Sequence, residues 1–133
     1  MSHENVEILR QALEAWNQRD PDRLRSYLAP DLEWEPAGPG AVEAAVWRGP
    51  DELIDAAAGM WDTWDVFRFE ETEIRDLGDS VLWLGHVHTK GHASHMDLEQ
   101  EFAILCRVRG DKIVRAKAFR AWQEALEAAG PRD

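Results

Sequence analysis

The hydrophobic spacing of this chain changes near Val66 from a helical period to a period of two. Before that point apolar residues recur every three or four positions, as at Leu9, Leu13 and Trp16, which predicts amphipathic helices. Beyond it, phenylalanines alternate with charged residues over 67–70, which predicts a strand with one buried face. Helices followed by a run of strands indicate an α+β fold rather than alternating βαβ units.

The predicted elements can be placed from this spacing and from the turn residues between them. We predict two helices before Pro30, a short strand over 31–36, a loop over 36–46, a third helix after Asp51, strands over 66–76, 81–89, 98–109 and 113–120, and a closing helix over 122–129. A long twisted antiparallel sheet wrapped around helices leaves an open end, so we expect a pocket there. Neither repeats nor low-complexity linkers interrupt the sequence, so we expect one domain over 1–133.

Composition excludes several classes of protein. The apolar fraction of 44% and charged fraction of 31% are those of a globular chain. The formal net charge of −11 repels polyphosphates, so nucleic acid is not an expected partner. Apolar runs all fall short of a membrane span, so a membrane partner is not expected either. The single cysteine, Cys106, excludes an internal disulfide and predicts a cytoplasmic location.

Four short segments carry a resemblance to a known family. They are Trp16–Asp20, Tyr27–Pro36, the Trp-Arg-Gly-Pro run over 47–50, and the hairpin over 110–114. Together they resemble the nuclear transport factor 2-like superfamily, and within it the SnoaL-like polyketide cyclase branch. The resemblance covers nearly the whole chain. It implies a cone-shaped, cystatin-like α+β barrel whose helices pack on a curved antiparallel sheet around a small-molecule pocket.

The resemblance also gives a candidate general base. In the ketosteroid isomerases of this superfamily a carboxylate stands directly before a proline at the end of the short strand, and Glu35-Pro36 matches that position. At the mouth of an apolar pocket the pKa of such a carboxyl would rise. The alternative is a solvated glutamate at a strand end. The isomerase acid on the third long strand falls on Ile104, which cannot donate a hydrogen bond, so the isomerase mechanism is not expected.

Two histidines form a second catalytic candidate. His86 and His88 are two positions apart on a predicted strand, so they share one face of the sheet. They could act as acid and base near neutral pH. They could also bind a metal with Glu99 or Glu101, although we expect neither a metal nor another cofactor. The remaining alternative is a pair of ordinary strand histidines.

Arg120 is the last catalytic candidate. Strand alternation places it with Ala116 and Ala118, small residues that suggest the pocket side, where a guanidinium could hold a carboxylate or enolate oxygen. It could equally pair with Glu35 or Glu101 at the rim. The opposite alternation would turn Arg120 to the outside.

The chain has seven tryptophans, and several flank the loop and helix that would cover the cavity. An aromatic cavity suits a flat or hydrophobic ligand. Trp83 lies on the opposite alternation from His86 and is assigned to a subunit interface, since the resemblance implies a homodimer. The residues predicted to contact the ligand are Trp34, Trp47, Trp61, Trp64, Gln100, Ile104 and Trp122.

Two functions of different classes remain open at this stage. One is a cofactor-independent isomerase, cyclase, dehydratase or hydrolase that acts on a small hydrophobic molecule through Glu35, His86, His88 and Arg120. The other is a non-catalytic module that binds such a molecule without changing it or serves in dimerisation.

Overall fold

The computed structural model describes residues 2–37, 45–92 and 96–130, with side chains from residue 4 onward. Most of the predicted loop over 36–46 lies outside these residues, as do positions 93–95 between two of the predicted strands. The helices are α1 (Ser2–Asn17), α2 (Pro21–Arg25), α3 (Gly49–Thr63) and α4 (Trp122–Ala129). The strands are β1 (Leu28–Glu35), β2 (Trp47–Arg48), β3 (Trp64–Asp76), β4 (Val81–Gly91), β5 (Asp97–Arg109) and β6 (Lys112–Phe119).

The strands form one curved, unclosed sheet in the order β2-β1-β6-β5-β4-β3. The last four strands pair antiparallel in chain order, which confirms the α+β prediction. β1 pairs parallel with β6, where Trp34 lies beside Ala116. The described helices all lack the length and apolar character needed to cross a bilayer.

The second predicted helix is shorter than expected. Asp20 caps its start, because its side chain accepts a backbone hydrogen bond at 3.1 Å. The helix ends at Arg25 rather than near Pro30. Leu28 already belongs to β1 and pairs with Ile113 of β6, so pairing with a distant strand overrides the local helical preference.

The inner face of the sheet carries the main hydrophobic core, covered by α1 and α3. Trp16 of α1 packs on Phe67 and Phe69 of β3, with 5.4 Å between ring centroids in each pair. Phe69 meets Trp83 of β4 edge to face at 5.9 Å. The predicted interface position of Trp83 is wrong, because this side chain is 1% exposed within the core.

The outer face of the sheet is covered in part by α4. A second core cluster joins Leu82, Leu84 and Phe119 to Ala125 of that helix. The Trp122 indole donates to the Gly85 carbonyl at 2.9 Å and to the Phe102 carbonyl at 3.1 Å. β4 is therefore buried on both faces along its first half.

The free edge of β3 is protected by the end of α1. The Asn17 amide donates to the Phe69 carbonyl at 3.0 Å, and the Phe69 N–H donates to the Asn17 side-chain oxygen at 2.9 Å. This pair of bonds occupies the backbone groups that Phe69 would otherwise offer to a neighbouring strand, so the edge is covered at this residue.

Helix α1 ends in a turn that has Arg19 in the left-handed region, at φ 54°. The Arg19 N–H donates to the Trp16 carbonyl and the Asp20 N–H to the Ala15 carbonyl, at 2.9 and 3.0 Å, which is the Schellman arrangement. Glycine is the usual residue at this position because a Cβ there costs about 1 kcal/mol.

The Arg19 side chain accounts for its presence in that turn. Its guanidinium donates to the carbonyls of Trp61, Trp64 and Asp65 at 2.8–3.0 Å. These carbonyls lie at the end of α3 and the start of β3. Arg19 therefore joins three elements where the first helix of the chain meets the sheet.

Candidate functional site

The candidate site is a cavity between α1, α3 and the inner face of the sheet. Its described walls are entirely apolar apart from indole nitrogens. The aliphatic part includes Leu13, Leu53, Met60 and Ala118. The aromatic part consists of Trp16, Trp34, Trp47, Phe67, Phe69 and Phe102.

The cavity bounded by these residues is small. Its volume is about 40 Å³, whereas sites for drug-sized molecules have about 300–1,000 Å³. Packed aromatic rings such as Phe69 and Phe102, with centroids 5.6 Å apart, fill most of the space between helices and sheet. A ligand larger than a few atoms requires these rings to move.

Three buried polar atoms near this cavity lack a hydrogen-bond partner among the described residues. They are Trp16 Nε1, Trp61 Nε1 and Thr89 Oγ1. Trp16 and Thr89 are only 5% and 1% exposed. Buried donors and acceptors are paired in the great majority of cases, so these three atoms, one on a wall residue and two on residues beside the wall, are unusual in this core.

The predicted aromatic residues divide between the cavity wall and its surroundings. Trp34 and Trp47 line the cavity. Trp61 packs edge to face against Trp16, with 5.6 Å between centroids. Trp64 is half-buried against the core at the start of β3.

The other predicted ligand contacts do not line the cavity. Ile104 faces the inner core and is fully buried there. Gln100 is exposed on β5. Trp122 lies on the opposite face of the sheet, where it packs with the α4 cluster. It therefore does not line the inner cavity, although the sequence had predicted it to do so.

Glu35 also lies away from the cavity. Trp34 turns inward to the cavity, and the next side chain along the strand therefore turns outward. Glu35 borders an outer groove of about 470 Å³ together with Arg107, Arg115 and Lys117. This position corresponds to the solvated strand-end alternative.

His86 and His88 share one face of β4, as predicted, but it is the outer face. The His86 ring lies 5.5 Å from the Trp122 ring. The His88 Nε2 atom is 3.8 Å from a carboxylate oxygen of Asp97. The sheet separates both imidazoles from the apolar cavity.

The charged residues beside these histidines belong to a polar ladder across β3, β4 and β5. His86 is the cross-strand partner of both Glu70 and Glu101. Arg68 donates to Glu70 at 2.8 Å and thereby lowers the pKa of that carboxyl. The described histidines, cysteine and carboxylates form no cluster suited to a metal ion.

Arg120 lies just beyond the end of β6 and is exposed. Ala118 does line the cavity, so the predicted inward alternation is correct within the strand. The strand ends at Phe119, and Arg120 is not part of the cavity wall. The four proposed catalytic side chains are therefore not brought together.

Sequence reasoning missed some members of the cavity wall. Phe67, Phe69 and Phe102 line it, and their alternation marked a buried face without showing what that face covers. Trp16 was visible on the apolar face of α1. Thr89, the cross-strand neighbour of Phe67 rather than a wall residue, carried no signal, since a threonine in a strand is unremarkable until its burial is known.

A cone of helices on a curved sheet with an inner apolar cavity defines a class of small, pocket-bearing α+β proteins. The sequence model of the SnoaL-like domain matches residues 9–116. The chain therefore belongs to the SnoaL-like family. Comparison with curated proteins gives no match.

Solved structures with the same fold cover nearly the whole chain. A candidate polyketide cyclase from Xanthomonas campestris pv. campestris is 17% identical, over 96% of this chain and 98% of that one, with a TM-score of 0.78. A hypothetical protein with a ketosteroid isomerase-like fold from Catenulispora acidiphila, in complex with trimethylamine, is 18% identical over 95% and 94%, with a TM-score of 0.77. TerC, co-crystallized with polyporic acid, is 19% identical over 96% and 99%, with a TM-score of 0.76. At these identities the likeness concerns the fold.

Proposed function

We propose that the protein binds a small, uncharged, hydrophobic molecule in the cavity between α1, α3 and the sheet. The apolar wall carries this proposal. Six aromatic side chains contribute to that wall, and its described part contains no ionisable group. Burial of apolar ligand surface is therefore the main attraction that the site offers.

The same wall favours binding over acid–base catalysis. Proton transfer needs an acid or base within hydrogen-bond reach of the reacting atom. Glu35, His86 and His88 lie on the other face of the sheet. Among the described residues, none that lines the cavity can fill either role.

Two relatives are consistent with small-molecule binding on this fold. One was crystallised in complex with trimethylamine and another with polyporic acid. Their low identities give no ligand for this chain, so the proposal rests on the cavity wall.

Titration with matched hydrocarbons tests the proposal. Indane, naphthalene and fluorene differ in size and lack polar groups. We expect binding of at least one of them, detected by calorimetry with a negative heat-capacity change. The variant Ala118→Val adds two methyl groups to the cavity wall and should weaken that binding about tenfold or more.

Two further variants serve as controls. Ala128→Val makes the same change on the exposed side of α4 and should leave the affinity unchanged. Phe102→Leu enlarges the cavity and should favour fluorene relative to indane, which tests the site even if Ala118→Val folds poorly. Absence of binding by all three hydrocarbons, or equal affinities for the Ala118 and Ala128 variants, would contradict the proposal.

The expected homodimer and cytoplasmic location stay predictions. A dimer through the outer face of the sheet would have to use the part that α4 leaves open, which carries the ladder of Arg68, Glu70, His86 and His88.

A further inference from the structure

We infer that Trp16 Nε1, Trp61 Nε1 and Thr89 Oγ1 form a polar subsite that recognises an uncharged hydrogen-bond acceptor, such as a ketone oxygen, on the ligand. The inference rests on the proposed function, because it specifies which hydrophobic molecules the cavity selects. The name polar subsite refers below to these three atoms.

Among the three side chains, that of Trp16 lines the cavity, whereas Trp61 and Thr89 lie next to residues of its wall. Trp16 lines the cavity and lies 5.6 Å from Trp61 between ring centroids. Phe67, another wall residue, lies 5.4 Å from Trp16. Thr89 is the direct cross-strand partner of Phe67, so the two side chains are neighbours on the inner face.

Their lack of partners is the central observation. A buried donor without an acceptor forfeits the hydrogen bonds that it made to water in the unfolded chain. An N–H···π contact within the Trp16–Trp61 pair could serve at most one of the two indoles and is weak. Two such donors beside one hydroxyl are uncommon in a core that is otherwise apolar.

The chemistry of the three groups defines the acceptor. Indole N–H groups only donate, while a threonine hydroxyl can donate or accept. Donors therefore predominate, and the complementary group is an acceptor such as a carbonyl oxygen. A carboxylate is excluded as the preferred group, because the described wall offers no cation to compensate for its desolvation.

An ordered water molecule is the competing explanation. A cavity of about 40 Å³ has room for a water, and water could accept from both indoles. The two explanations differ in what they predict for a ketone and a hydrocarbon of the same shape. Without donors in the wall, the ketone binds more weakly than the hydrocarbon, because its oxygen loses its hydrogen bonds to water.

The experiment compares 1-indanone with indane and 9-fluorenone with fluorene, by titration calorimetry on the full chain. In the wild-type protein we expect the ketone of at least one pair to bind about tenfold more tightly than its hydrocarbon. Thr89→Val replaces the hydroxyl with a methyl group of similar size, whereas Trp61→Phe removes the indole N–H together with one ring, so each ketone is compared with its hydrocarbon in the same variant. Each variant should reduce that preference to about threefold or less.

Trp122→Phe is the matched control, because it removes an indole N–H that has partners on the outer face. We expect it to lower the melting temperature and to leave the preference for the ketone unchanged. Thr89→Val should leave the melting temperature of the ligand-free protein unchanged or raise it, since the hydroxyl that it removes lacks a partner.

Each outcome decides between the alternatives. Equal binding of ketone and hydrocarbon, or tighter binding of the hydrocarbon, overturns the polar subsite and leaves the proposed function intact. A preference for the ketone that survives both Trp61→Phe and Thr89→Val also overturns it. Failure of all four compounds to bind contradicts the proposed function and the subsite together.

Discussion

Arg19 illustrates how a single residue can combine an unfavourable backbone with favourable side-chain bonds. Its left-handed φ suits glycine, yet its guanidinium donates to three carbonyls at the junction of α3 and β3. Charge-assisted hydrogen bonds of this kind contribute about 1.5–3 kcal/mol where they are shielded from water and less at an exposed site. The side-chain bonds therefore offset the backbone cost.

Substitution of Arg19 can separate these two contributions. Arg19→Ala loses the bonds and keeps a Cβ in the left-handed region, so we expect it to lower the free energy of unfolding by about 1–3 kcal/mol. Arg19→Gly loses the same bonds but relieves the backbone, and should be about 1 kcal/mol more stable than the alanine variant. Urea unfolding measures both.

Arg120→Ala, at an exposed position beyond β6, controls for the loss of one positive charge and should change stability by about 0.5 kcal/mol or less. Equal stabilities for Arg19→Ala and Arg19→Gly would show that the backbone conformation carries no cost.

At the scale of elements, His92 follows the end of β4 and contacts the junction of α3 and β3. Its Nε2 atom lies 2.6 Å from the Asp62 carbonyl, and its Nδ1 atom pairs with the Asp65 carboxylate. Both partners only accept, so the doubly protonated ring satisfies both. The hydrogen bond to Asp62, followed by the charge of Asp65, raises the pKa of His92 above 6.5.

The raised pKa gives this contact a pH dependence of definite sign. A group with a higher pKa in the folded state stabilises the fold fully below its unfolded pKa, here 6.5, and loses that contribution as pH rises through the folded pKa. The melting temperature of wild type should therefore exceed that of His92→Ala by more at about pH 5.5 than at about pH 8.5.

An NMR titration of the His92 ring provides the direct measurement, with Asp65→Asn expected to lower its pKa. A difference between wild type and His92→Ala that is the same at both pH values would contradict the assignment.

The sequence predicted the elements better than the faces that they present. The change of period near Val66 identifies the four long strands, because a strand with one buried face has apolar residues at every second position. The parallel pairing of β1 with β6 joins residues about eighty positions apart, such as Trp34 and Ala116, and local patterns contain no information about such a partner. For this reason the predicted second helix extends toward Pro30 and includes Leu28, which belongs to β1.

The alternation of apolar and polar residues also fails to predict which side of a strand faces the inner core when both faces of the strand are covered. Leu82 and Leu84 face α4, while Trp83 and Val87 face the inner core. The apolar pattern of β4 consequently does not distinguish inside from outside, and His86 could be assigned to either face. The apolar spacing within α4 was the signal that a helix covers the outer face.

At the scale of the whole molecule, Cys106 reports on the integrity of the core. It is 2% exposed among inner-face residues, and burial raises the pKa of its thiol to about 12. The thiolate is the reactive form, so the folded protein should react with iodoacetamide at about pH 8 only through opening of the sheet.

We therefore expect the labelling rate of Cys106 to rise with urea along the same slope as global unfolding, as measured by mass spectrometry. Fully unfolded protein under the same conditions provides the reference rate. Rapid labelling in the absence of urea would place the thiol outside the closed core.

The small volume of the cavity has a kinetic consequence. If only a minor, expanded form of the protein admits a bicyclic molecule, association is limited by how often the rings part rather than by diffusion, and the observed affinity is reduced by the population of that form. Aromatic rings that pack this closely would act as a gate, and the temperature dependence of the association rate would report the height of its barrier.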